Sequence, residues 1–142
     1  MADREGLRPA ADAAPQGGPR VLPRACARPF YNAADALVPP AEGGAPGAGD
    51  LDLLPRVELR LFHEGPAAAR RLGLWLLAFE WTPLLRPGDR CRFSQLPRAR
   101  RRALLADWAA GRCGPRRRAV LRLRALVEDA LAAARAHSSE GA

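Results

Sequence analysis

Seven arginines in two short runs carry the densest chemistry in this sequence: Arg98, Arg100, Arg101 and Arg102, then Arg116, Arg117 and Arg118. A guanidinium offers five N–H donors in a planar fork and stays charged, so such runs suit recognition of carboxylates or phosphates. Both runs fall where helices are expected to begin. Positive charge there opposes the helix dipole and costs stability. A contact with an acidic protein surface would account for keeping it, and so would a solvated basic face. These seven residues are the candidate partner-binding set.

The rest of the catalytic vocabulary is sparse. His63 and His137 share no ligand spacing with each other or with Cys26, Cys91 and Cys113, and no CxxC occurs. An odd number of scattered thiols reads as isolated cysteines in a reducing compartment. His63 sits before Gly65, where a helix C-terminus would favour it. Ser94 needs an activating base to act as a nucleophile, and its place ahead of a helix already accounts for it as an N-cap. The glycines of 43–47 lack the spacing of a phosphate loop and follow no strand. Among the acids Asp50, Asp52, Glu58, Glu64 and Glu80, the last is distinctive. It lies between Phe79 and Trp81 in an apolar run, and a buried carboxylate there is expected to pair with an arginine of the fourth or fifth helix. No catalytic, cofactor-binding or metal-binding residue is assigned, and the chain is expected not to be an enzyme.

The charge is unevenly spread. All 23 basic residues are arginine, within a net charge of +8. Abundant arginine and alanine fit a GC-rich genome, which weakens the high isoelectric point as a sign of nucleic-acid binding. Between Arg86 and Arg124 there are 13 arginines against Asp89 and Asp107, a local net of +11, while the remainder nets −3. Such a field attracts an acidic partner or an anionic surface.

The elements that must position these groups read as helices. Residues 1–28 are poor in large apolar side chains and are expected to form a disordered tail. Phe30, Ala33, Ala34, Leu37 and Val38 have helical spacing behind Pro29, and Pro39-Pro40 end that helix. A Pro/Gly/Ala linker follows over 39–49. Asp50 is the expected N-cap of a second helix whose apolar face is Leu51, Leu54, Val57 (or Glu58) and Leu61 or Phe62, with Pro55 just past its first turn and Gly65 at its end. The third helix, about 66–82, is apolar on nearly all faces in its second half, as a central bundle helix would be. Ser94 is expected to cap the fourth, with Leu96, Leu104, Leu105 and Trp108 inward. Pro115 opens the fifth, where Val120, Leu123, Val127, Ala130 and Leu131 recur at three and four residues. Trp75, Phe79, Trp81, Phe93 and Trp108 are the expected core aromatics. No stretch alternates with period two. The fold class is all-α: a compact bundle of four to five helices over 29–136, with tails at 1–28 and 137–142. The longest apolar run, Leu72 to Phe79, is far short of a membrane span, no export signal is visible, and the expected location is cytoplasmic.

The order FYNAADALVPP from Phe30, then Asp50-Leu51, LGLWLLAFEW from Leu72, RFSQLP from Arg92, and an arginine-led helix with Trp108 resembles a known pattern. It is similar to the small helical module found beside GMC-type flavin oxidoreductases. Examples are the subunit 3 family of gluconate 2-dehydrogenase-like enzymes and the N-terminal region of long-chain alcohol oxidase and dehydrogenase relatives. The resemblance runs from about Phe30 to Leu131. It implies a non-catalytic accessory subunit that binds and supports a separately encoded GMC-like oxidoreductase, with FAD only in that partner. The glycine-rich FAD-binding segment of the enzyme itself is not in this sequence. The alternative is a small basic helical protein that binds nucleic acid or an anionic membrane surface, although no recognised nucleic-acid module is visible.

Overall fold

The computed structural model describes residues 18–141. The expected tail over residues 1–17, like residue 142, lies outside them. The described residues form five α-helices and no strand: α1 (Ala27–Leu37), α2 (Leu54–Glu64), α3 (Pro66–Trp81), α4 (Arg98–Ala110) and α5 (Gly114–Glu140). Short 3-10 turns at Arg24–Cys26, Ala48–Asp50, Thr82–Leu85 and Phe93–Gln95 join them. No described helix is long and apolar enough to cross a membrane.

Helix α1 packs on α4, α4 on α5, and α2 on α3. The core gathers Phe30, Leu61, Leu76, Phe79, Phe93, Leu104, Trp108, Leu123 and Val127, drawn from all five helices and the turn before α4. Trp108 is fully buried and stacks against Phe79 (centroids 4.9 Å apart) and Phe93 (6.2 Å). Offset aromatic stacking of this kind contributes about 0.5–1.5 kcal/mol beyond the buried area.

Several boundaries differ from the sequence reading, each for a local reason. The helical body begins before residue 29. Val21 and Leu22 pack against the core, Cys26 is buried, and the backbone N–H groups of Val21 and Leu22 donate to Glu58 Oε1 at 3.2 and 3.1 Å. Glu58 is itself buried, so a carboxylate of α2 clamps the entering chain. At the other end α5 continues to Glu140 through the stretch expected to be a tail, at the close of a 27-residue helix. The 39–49 segment is also held down. Ala48 N–H donates to the Val38 carbonyl at 2.9 Å, and Arg135 Nη2 donates to the Pro46 carbonyl at 2.7 Å.

Asp50 does not cap α2. It ends the 3-10 turn before it, accepting from the Gly47 N–H at 2.8 Å. Pro55 then falls within the first two positions of α2, where its missing N–H leaves no hydrogen bond unmade. Gly65 alone separates α2 from α3. Its φ of 109° is a backbone conformation that L side chains rarely adopt, which lets one residue end a helix and start the next at Pro66.

Candidate functional site

The two arginine runs do not form one open basic face. Arg98 grips the Asp35 carboxylate of α1 with two prongs, at 2.8 and 2.7 Å. Arg101 donates to Asn32 Oδ1 and lies 3.6 Å from the same Asp35. Arg100 grips Asp89, in the turn at 87–89 ahead of the Phe93–Gln95 segment, at 3.0 and 3.1 Å. Its guanidinium holds the Asp89 carboxyl below the usual carboxylate range. The dipole penalty of arginines at the start of α4 is thereby offset by two carboxylates brought in from other elements. Arg116 lies over the Trp108 ring, 5.8 Å from its centroid, with its Nε buried. Only Arg102, Arg117 and Arg118 of the seven are both exposed and without an ion pair among the described residues.

Ser94 and Glu80 are brought together, although the sequence reading gave them other partners. Ser94 belongs to the 3-10 turn Phe93–Gln95 and not to the N-cap of α4, a position taken by Pro97. Its hydroxyl donates to Glu80 Oε2 at 2.5 Å. Glu80 is buried and forms no ion pair among the described residues, so a serine replaces the expected arginine as its partner. The exchange follows from α3 ending at Trp81: the chain returns past the helix end and lays the turn, not α4, over Glu80.

The second departure concerns α3. Its inner face (Leu72, Leu76, Phe79) is buried, but Leu74 and Trp81 are 63% and 53% exposed. Trp81 therefore lies outside the core in which it was expected. Arg70, Leu74, Leu77 and Trp81 succeed one another at four and three residues, which places them on one side of the helix. The following turn adds Leu85, 87% exposed. Beside this face a groove of about 540 Å³ opens against Phe62, Pro66 and the Val21–Pro23 segment. Arg70 borders it, and Arg92 lies 5.7 Å from the centroid of the Trp81 ring. The face is thus apolar with cationic edges. Sequence periodicity could not isolate it, because the apolar residues of α3 go nearly all the way round.

The remaining candidates stay dispersed. His63 lies exposed in the last turn of α2, as expected, and His137 in the last turns of α5. Cys26 is buried, its Sγ donating to the Gly73 carbonyl at 3.5 Å, while Cys91 is half-buried and Cys113 exposed. Burial pushes the Cys26 thiol pKa up, away from thiolate chemistry. Glu64 accepts from Arg60 at 3.0 Å and from Arg122, and these guanidiniums, Arg122 foremost, hold its carboxyl below the usual range. Tyr31 donates to Asp52; burial first, and that carboxylate second, raise its phenol. Among the described residues no group of three or more histidines, cysteines and acids is placed to hold a metal ion. No protein-family model, no curated protein and no solved structure matches the chain.

Proposed function

We propose that this protein is a non-catalytic, cytoplasmic accessory subunit that docks on a larger protein through the outer face of α3. The observation that supports docking is the apolar surface of Leu74, Trp81 and Leu85 with its neighbouring groove. Isolated exposed leucines need no explanation, but a tryptophan and leucines on one side of a helix and in the turn that follows it do. Tryptophan and arginine are the residues most often found at the energetic centre of protein interfaces. Arg70 and Arg92 at its edges favour a partner surface that borders an apolar patch with carboxylates.

The class of partner is proposed from the sequence pattern: a GMC-like FAD-dependent oxidoreductase, with the flavin held by that partner. Purification of the tagged chain from its own host, with mass spectrometry and an absorbance spectrum, tests both parts. A stoichiometric large partner with bound flavin is expected, and Leu74→Glu with Trp81→Glu should release it while circular dichroism stays unchanged. Recovery of a partner without flavin would overturn the oxidoreductase assignment. Nucleic acid or lipid in place of a protein would overturn the subunit reading. Full retention of the partner by the double variant would overturn the α3 interface.

A further inference from the structure

A second groove, of about 600 Å³, lies between α2, α3 and α5. Its floor is apolar: Leu61, Leu72 and Leu126 are buried, and Trp75 is half-buried against them. Arg71, Arg118 and Arg122 stand on its walls. Arg122 is held by Glu64, whereas Arg71 on α3 and Arg118 on α5 form no ion pair among the described residues. The Arg118 guanidinium lies close to Gly114, where α5 begins with no acid in its first turn and no side-chain cap. Two unpaired cations and the positive end of a 27-residue helix therefore border the same apolar cleft. With Glu64 counted against Arg71, Arg118 and Arg122, the lining carries a net charge of +2. The volume is that of an ordinary small-molecule site, and a mostly apolar lining with a few polar groups at one side is the usual composition of one.

We propose that this groove binds a single-chain amphiphile with an anionic head, an alkyl carboxylate, whose tail lies on Leu61, Leu72, Trp75 and Leu126 and whose carboxylate meets Arg71 and Arg118. The charge selects the head, because an alkyl ammonium would meet like charge and a neutral alcohol would leave both guanidiniums unanswered. The apolar floor selects the tail, because affinity rises with each methylene removed from water. The inference does not rest on the α3 docking face. The two grooves share Leu61 alone; along α3 the carboxylate groove takes Arg71, Leu72 and Trp75, whereas the docking groove takes Arg70, Gly73, Leu74 and Leu77.

Isothermal titration of the whole chain with dodecanoate, decanoate, acetate and dodecyltrimethylammonium tests it below the micellar range. Saturable one-to-one binding of dodecanoate is expected, about fifteenfold weaker for decanoate with its two fewer methylenes, with none for acetate and none for the ammonium. Arg71→Gln with Arg118→Gln should weaken dodecanoate at least about tenfold, as the loss of charge-assisted hydrogen bonds implies. Both side chains are exposed, so the fold should persist, which circular dichroism checks. Amide chemical shifts give an independent reading on the unaltered chain, and changes should centre on 68–75 and 115–126. No saturable binding, equal binding of the ammonium, an unchanged double variant, or shifts centred on 74–85 would each overturn the proposal.

Discussion

Arg98 and Asp35, 63 residues apart in the chain, meet in a two-pronged ion pair that ties the first turn of α4 to α1. Arg101 approaches the same carboxylate from the next turn, with only 11% of its side chain exposed. The two arginines differ in what they stand to lose. Arg98 is half exposed and can return to water, whereas Arg101 would keep a largely covered charge with its carboxylate gone. Asp35→Ala should therefore cost about 1–2 kcal/mol, more than a surface pair contributes. Arg98→Gln should cost clearly less than Asp35→Ala, since the Arg98 side chain is half exposed. Urea unfolding of the three proteins separates the effects; equal midpoints for the two variants would show that Arg101 draws nothing from Asp35.

Ser94 is the partner that lets Glu80 remain buried. Ser94→Ala removes the donor and leaves a carboxylate without its hydrogen bond, at an expected cost of about 1–3 kcal/mol. Ser94→Thr keeps the hydroxyl and should cost much less. Glu80→Gln retains an oxygen to accept from Ser94 and should also be mild. Thermal unfolding of the set provides the check, and an unchanged midpoint for the alanine variant would mean that Glu80 has no need of the serine.

Asp89 and Glu64 give the fold a defined acid dependence. Arginine neighbours hold both carboxyls below their ordinary range, so in each case the folded pKa lies below the unfolded one. A group shifted this way stabilises the fold above its unfolded pKa, about 4, and the contribution is lost as pH falls through the folded value. Stability from this source should be flat above about pH 5 and decline below about pH 4. Asp89→Asn with Glu64→Gln should flatten that decline and leave the neutral plateau lower. Molar salt should shrink the Glu64 share of the difference more than the Asp89 share, since Glu64 is open to solvent and the Asp89 side chain is largely covered. Urea midpoints measured between pH 3 and 7 would show either behaviour.

The helical periodicity of Val120 to Leu131, the proline at the head of α5 and the glycine between α2 and α3 made the bundle readable, because each acts within one or two helical turns. Boundaries failed where tertiary contacts decide them. Val21 and Leu22 look like part of a tail until Glu58, on another helix, supplies the acceptor for their N–H groups. Asp50 and Ser94 are both good capping residues by type. Each was diverted, one to a tight turn and the other to a buried carboxylate. The arginine runs show the limit for function. Sequence gives their charge, but the contacts of Arg98, Arg100 and Arg101 depend on Asp35 and Asp89 arriving from elsewhere in the fold. Trp81 was misplaced for a different reason: when apolar residues surround a helix, period alone cannot say which side lacks a neighbour.

Gly73 marks where the entering chain crosses α3. A Cβ placed there would lie 3.6 Å from Leu22 Cδ2 and 3.7 Å from Cys26 Sγ and Pro23 Cδ, ordinary contact distances without overlap. Glycine inside a helix costs about 0.8–1 kcal/mol relative to alanine. Gly73→Ala should therefore gain close to that amount, since the methyl fits and the unfolded chain loses freedom. Gly73→Leu carries three further carbons into the same contact and should displace Leu22 and Pro23 from α3. That displacement would expose the Val21 and Leu22 N–H groups now bound to Glu58. Amide hydrogen exchange reads the outcome directly: slower exchange across α3 in the alanine variant, and faster exchange at residues 21 and 22 in the leucine variant. If alanine instead speeds exchange at 21 and 22, the crossing is tighter than these distances describe, and glycine is required there for its missing side chain.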